Sequence, residues 1–295
     1  MVRTPLLRLA VDGPAEIFLK VEALQPIGSF KLRGAGNAIA LAGPAALERG
    51  VWTASAGNMA QGVAWNAKRL GIPCAVVVPD HAPRAKRDAI ERLGGRIIPV
   101  PVERWWRVLE EHAYPGMEGL FIHPVSDPAV IAGNGTIGLE ILEDLPDVDT
   151  VLVPWGGGGL SCGIAAALAA RRPEARVFAC EIETAAPLAP SLAAGHPVGI
   201  EYQASFVDGI GAKGLLPEMW PMARELLAGS LVVSLEETKA ALRTLVSRAR
   251  VVAEGAGAVP VAAALSGRAG GGRTVAVVSG GNIDPERLAG ILAER

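Results

Sequence analysis

Parallel β-sheets covered by helices on both faces are the fold class this sequence predicts, on two observations. Strand-like and helix-like patterns alternate almost throughout, the order that βαβ units produce. The strand-like segments, such as Cys74–Pro79 and Val275–Val278, are apolar runs of the kind a sheet buries on both faces. A length of 295 residues leaves room for one large or two ordinary domains around a substantial core.

Taken in order, Glu16–Glu22 reads as a strand, Gln25–Gly28 as a turn and Ala35–Leu41 as a helix. A strand at Val51–Ala54 leads through Ser55-Ala56-Gly57-Asn58 into a helix, Ala60–Leu70, which Gly71 ends. Cys74–Pro79 is a buried strand, Arg84–Leu93 a charged helix, Arg96–Val100 a strand and Val102–His112 a helix, with Trp105 and Trp106 assigned to core and interface packing. Leu120–Ile122 is a short strand, and Asp127–Leu145 is mostly helix, interrupted at Gly133-Asn134-Gly135. Next come strand Thr150–Pro154, loop Gly156–Gly159, helix Leu160–Arg171 and strand Ala175–Cys180. Recurring proline and glycine predict a largely irregular stretch from Pro187 to Leu215. Helices at Leu216–Leu227, Leu235–Arg250 and Gly255–Leu265, a strand at Arg273–Ser279 and a last helix from Asp284 follow.

Composition removes several classes of function. Half of the residues are apolar, and 28 basic against 30 acidic side chains leave a formal net charge of −2. No basic excess invites nucleic acid, and the apolar runs are too short to span a bilayer. Met1–Leu7 lacks the apolar region and cleavage site of a signal peptide, so the cytoplasm is the expected location and a small molecule the expected partner. Cys74, Cys162 and Cys180 lie in apolar stretches, and His81, His112, His123 and His196 are scattered singly. Their spacing suggests neither a metal site nor a Ser-His-Asp triad, and no metal is expected.

Five stretches carry groups that can do chemistry. In Gly28-Ser29-Phe30-Lys31-Leu32-Arg33-Gly34, Ser29 is a candidate N-cap, and Lys31 falls in the first helical turn, where the helix dipole disfavours an ammonium. A lysine so placed is a candidate amine nucleophile, although most first-turn lysines simply face water. Gly156-Gly157-Gly158-Gly159 joins a strand to a helix, so its backbone N–H groups can converge on an anion such as a phosphate. A dinucleotide site is the rival there, with Glu181 near the ribose position, but the G-x-G-x-x-G spacing fails at Ser161 and Cys162. Ser55-Ala56-Gly57-Asn58 offers a hydroxyl, an amide and backbone donors at a helix entry, suited to a carboxylate. Ser279 ends a buried strand in Ser279-Gly280-Gly281-Asn282, and Glu254 opens Glu254-Gly255-Ala256-Gly257-Ala258.

The segment Lys20–Ala35, with its core Gly28-Ser29-Phe30-Lys31-Leu32-Arg33-Gly34-Ala35, closely resembles the cofactor-attachment segment of the serine/threonine dehydratase family, pyridoxal-phosphate enzymes of fold type II (tryptophan synthase β-like) that also include serine racemases. That resemblance implies two parallel-sheet domains with helices on both faces: a large one from residues 1–40 and 130–295 and a small one from residues 41–129. It implies pyridoxal 5'-phosphate held as an imine on Lys31, with Phe30 against its ring and Asn58 on its ring hydroxyl. Gly156, Gly157, Gly158 and Gly159 would hold its phosphate, Ser279 would face its ring nitrogen, and Glu254 would lie nearby. The substrate carboxylate would fall to Ser55, Ala56, Gly57 and Asn58.

The implied reaction converts a β-hydroxy amino acid of the threonine or serine type to a 2-oxo acid and ammonia. Racemisation or β-replacement, or cofactor binding with little turnover, are the alternatives. Family racemases carry a second serine where Ala56 stands, which favours elimination here. Met59 stands in place of the usual histidine, and Trp155 also departs from the family pattern. Glu181 and Ala185 match two of three positions of a family cation site, but Pro187 replaces the second carboxylate, so no tight metal is expected. A homo-oligomer, a dimer by analogy, is expected. The family's leader helix and C-terminal regulatory domain have no counterpart in this sequence, so feedback inhibition through such a domain is not expected.

Overall fold

Two β-sheets organise the chain, each inside its own compact unit, and the computed structural model describes residues 1–294. In chain order the strands are β1 Leu6–Arg8, β2 Ala15–Val21, β3 Val51–Ala54, β4 Cys74–Pro79, β5 Arg96–Val100, β6 Leu120–Phe121, β7 Thr150–Pro154, β8 Arg176–Ile182, β9 Gly229–Val233 and β10 Gly272–Val278. The helices are α1 Lys31–Leu47, α2 Asn58–Leu70, α3 Arg84–Arg92, α4 Val102–Glu111, α5 Pro128–Asp144, α6 Gly159–Arg171, α7 Leu188–Ala194, α8 Trp220–Leu226, α9 Leu235–Thr244, α10 Gly255–Leu265 and α11 Pro285–Ala293.

The smaller unit runs from Lys31 to Asn134, with Met1. Its sheet has the order β5-β4-β3-β6, parallel throughout. Successive side chains of a strand point to opposite faces, and here both faces are covered. Val51, Val76 and Val78 join α1, α2 and α3 residues such as Ile39, Val63 and Ile90 in one core. Trp52, Ala54, Ala75 and Val77 join Val108 of α4 in another. Each fully buried valine or isoleucine contributes about 1.5–3 kcal/mol relative to exposure. The expectation for the tryptophans holds for Trp105, which packs on that second core, whereas Trp106 is 51% exposed.

The larger unit comprises Val2–Phe30 and the chain from Gly135 onward. Its sheet has the order β1-β2-β10-β7-β8-β9, parallel except for the antiparallel edge pair β1 and β2. Leu152, Cys180, Ala276 and Val278 pack with Ala241, Leu242 and the buried face of α10 in its core, and α6 lies against β7 and β8. These compact units begin and end at residues 30/31 and 134/135, because α1 packs along α2 from its first residue.

Several local expectations need correction. Gly133-Asn134-Gly135 does not interrupt α5. Those glycines admit close packing instead: a Cβ on Gly133 would stand 2.7 Å from the Arg33 carbonyl oxygen, and one on Gly135 would stand 2.8 Å from that of Gly163. Within Pro187–Leu215, residues 188–194 form α7. Its first two backbone N–H groups donate to the Glu181 carboxylate, a cap supplied from β8. Strands β1 and β9 were not expected; both are short edges of the sheet. Ser29 does not cap α1, since its buried hydroxyl has no hydrogen-bond partner among the described residues. It is held instead in a β-bridge with Gly280.

Candidate active site

In the smaller unit, Lys31 is the first residue of α1, half-buried, and its Nζ donates to the Pro124 carbonyl oxygen at 2.6 Å. Two close approaches fix that first turn. A Cβ on Gly62 would lie 2.9 Å from the Lys31 carbonyl oxygen, so only glycine lets α2 pass this near. Four residues further along α2, the Asn66 amide donates to the Leu32 carbonyl at 3.2 Å. The turn that opens α2 is thereby carried alongside Lys31: Ser55, Ala56, Gly57 and Asn58 are all half-buried. The Ser55 N–H pairs with Val77 of β4 at 3.1 Å, while its hydroxyl accepts from the Gly57 N–H at 3.2 Å. Gly57 is the N-cap of α2 with no side chain capping it. Met59 is 1% exposed and packs in the core with Ala35, Val63 and Ile122, so this departure from the family pattern is a packing residue.

In the larger unit, the turn after β7 spans Trp155 to Gly158, and α6 begins at Gly159 with no side chain capping its N-terminus. Gly158 has φ +98°, and a Cβ there would meet the Trp155 ring at 2.5 Å. The Ser161 hydroxyl is turned back to the Pro154 carbonyl at 3.1 Å, leaving the turn to its backbone donors. Around the end of β10, the Phe30 N–H donates to the Ser279 carbonyl and the Glu254 N–H to the Gly280 carbonyl, each at 3.0 Å. A Cβ on Gly280 would stand 2.5 Å from Glu254 Oε1 and 3.2 Å from Ser29 Cβ. Phe30, Ser279 and Glu254 are thus one packed group, and Lys31 follows Phe30 by a single peptide bond.

Taken one unit at a time, the donors each suit one part of a phosphorylated aldehyde. An uncapped, glycine-only helix entry suits a phosphate, and a lysine amine at a helix start suits the carbonyl. Ser279, 2% exposed, offers a neutral hydroxyl rather than a carboxylate. Glu181 is spoken for: its oxygens accept from the N–H groups of Leu188 and Ala189 at 2.8 Å and from the Ser230 hydroxyl at 2.6 Å. Burial pushes its carboxyl pKa up, against those three donors. Cys74 and Cys162 are buried free thiols pushed up to about 12 by burial, which keeps them protonated and unreactive.

Sequence spacing gave no sign of one contributor. His112 and His123, far apart in sequence, bring their rings to 4.9 Å between centroids, and His123 organises the loop that carries the Pro124 carbonyl.

Two parallel-sheet units, with Lys31 at a helix start and a glycine turn at the entry to α6, define the class as a pyridoxal-phosphate enzyme of fold type II. The chain belongs to the pyridoxal-phosphate dependent enzyme family, whose model matches residues 1–280. It is 42% identical over 284 residues to an L-threonine ammonia-lyase of Thermotoga maritima, covering 94% of this chain and 70% of that one. Among solved structures, threonine deaminase isoform 2 of Solanum lycopersicum superposes with a TM-score of 0.91 at 33% identity, covering 100% of this chain and 89% of that one. Maize serine racemase superposes with a TM-score of 0.88 at 34% identity, covering 98% and 91%. No helix among the described residues is long and apolar enough to cross a membrane.

Proposed function

We propose that this pyridoxal-phosphate enzyme is an ammonia-lyase that converts a β-hydroxy amino acid of the threonine or serine type to a 2-oxo acid and ammonia. The observation that carries this reading is the placement of Lys31: first residue of α1, Nζ fixed on a backbone carbonyl, in a chain 42% identical to an L-threonine ammonia-lyase. When bound, pyridoxal phosphate supplies an electron sink that stabilises negative charge at the substrate Cα.

The chain's residues do the rest. Lys31 would hold the cofactor through Nζ, and its amine would take the substrate Cα proton. Gly156, Gly157, Gly158 and Gly159 would hold the phosphate by backbone donors, Phe30 would flank the ring, and Asn58 would donate to the ring hydroxyl. Ser279 would meet the ring nitrogen with a hydroxyl that leaves it uncharged, which weakens the sink and favours loss of the β-hydroxyl over reprotonation. Glu254 would lie beside the cofactor. Ser55, Ala56, Gly57 and Asn58 would receive the substrate carboxylate. The likeness to maize serine racemase makes racemisation the second reading, and the methyl group of Ala56 argues against it by removing an acid/base partner from the opposite face. A cytoplasmic homo-oligomer completes the reading, and analogy with the family supports both parts.

A panel of 3-hydroxy amino acids assayed for 2-oxo acid and ammonia tests the reaction, and borohydride trapping followed by peptide mapping tests the lysine. Enantiomer exchange without ammonia, or a label on a residue other than Lys31, overturns it.

A further inference from the structure

The Pro124 carbonyl that receives Lys31 Nζ belongs to no regular element, since residues 122–127 connect β6 to α5. A side chain fixes it. His123 is 4% exposed, and its Nδ1 lies 3.2 Å from the Val125 N, 2.9 Å from the Ser126 N and 2.8 Å from the Ser126 hydroxyl. A backbone N–H can only donate, so Nδ1 presents its lone pair, the ring proton sits on Nε2, and the Ser126 hydroxyl donates as well.

The consequence runs through one peptide plane. The Pro124 C=O and the Val125 N–H share a trans peptide and point in opposite directions. Holding that N–H on His123 therefore aims the carbonyl away from His123, where Lys31 meets it. The ring has its own supports: His112 and Phe121 pack on it at 4.9 and 6.1 Å between centroids, and the Thr53 hydroxyl holds the Ile122 carbonyl at 2.8 Å. Asp127 fixes the far end of the loop by accepting from the N–H groups of Ala129 and Val130.

We propose that His123 is a positioning residue which, through the Pro124–Val125 peptide, aims the carbonyl that orients the Lys31 amine for cofactor capture. This rests on the reading of Lys31 given above. The test compares the full-length wild type with His123→Asn, whose Oδ1 offers an acceptor in place of Nδ1, and His123→Phe, which keeps the bulk and deletes the acceptor. Nitrogen-15 NMR of the wild type is expected to show the Nε2–H tautomer at His123.

Added pyridoxal phosphate, followed by visible absorbance and by borohydride labelling of the Lys31 peptide, is expected to be captured about tenfold more slowly by His123→Phe, the fold-change of one hydrogen bond of ordinary strength. His123→Asn is expected to recover most of that rate. An Nδ1–H tautomer, wild-type capture by His123→Phe, or His123→Asn as slow as His123→Phe overturns the proposal; should His123→Phe not fold, the tautomer and the capture rate of His123→Asn against wild type decide it. Absence of label on Lys31 in the wild type would sink the reading of Lys31 instead, and the tautomer would be unaffected.

Discussion

The ring of Trp155 lies against the Cα of Gly158: a Cβ built on that glycine would stand 2.5 Å from Trp155 Cη2. Two independent costs therefore oppose Gly158→Ala. The backbone at φ +98° strains any side chain by about 1–3 kcal/mol. The indole, 1% exposed, has little space to retreat, and overpacking adds about 1–3 kcal/mol. Gly158→Ala should lower the urea midpoint and weaken pyridoxal-phosphate binding together. Adding Trp155→Leu should restore the packing share alone, and full recovery would show that the backbone conformation is not the constraint.

Much of the candidate site was legible because the resemblance that carries it is local. The Lys31 segment and the glycine turn are each a few consecutive residues, and the buried strands are plain as apolar runs. What escaped was nonlocal. Helix α7 opens on Glu181 of β8, so no residue beside it marks its start. Ser29 looked like a cap because it precedes a helix, but its bridge to Gly280 takes it out of that role. The ring pair of His112 and His123 exists only after the chain folds.

Gly135 shows two effects of opposite sign at one position. Alanine is the better helix former by about 1 kcal/mol. Its Cβ would, however, stand 2.8 Å from the Gly163 carbonyl oxygen, and this neighbour is backbone. The overpacking cost of about 1–3 kcal/mol prevails. Gly135→Ala should therefore destabilise the chain despite its helical setting, as read by thermal and urea unfolding; a stabilised variant would mean that α5 and α6 separate more readily than their contact implies.

Glu181 makes a pH-dependent case. Removing its carboxylate with Glu181→Ala leaves the buried Leu188 N–H, the half-buried Ala189 N–H and the Ser230 hydroxyl without their acceptor, at about 1–3 kcal/mol for the buried group and less for those that water can reach. Amide exchange at Leu188 and Ala189 should accelerate. Because burial raises its pKa above the ordinary 4.5, the folded chain keeps the Glu181 proton at pH values where the unfolded chain has released it. Its contribution to stability accordingly falls as pH rises from 4.5 through the raised value. Wild type should lose stability relative to Glu181→Gln across that window, and a difference that widens in favour of wild type would reverse the assignment.

Ala56 is the position at which the proposed preference for elimination over racemisation can be tested. Its half-buried side chain packs at the edge of the core formed by α1, α2 and the smaller sheet, so serine, one atom larger, fits with little change to the turn that carries Ser55 and Gly57. In the proposed reaction Lys31 would serve one face of a substrate bound there. A proton delivered to the other face needs a second group, and a positioned side chain typically accelerates such a transfer by about 10²–10⁴. Ala56→Ser supplies the missing hydroxyl without touching Lys31. With L-serine, this variant should produce D-serine detectable by chiral chromatography while 2-oxo acid formation continues, whereas wild type should yield 2-oxo acid without the other enantiomer. If the variant keeps full lyase activity and forms no D-serine, the hydroxyl at position 56 does not reach the opposite face, and the choice of reaction lies with the ring environment at Ser279.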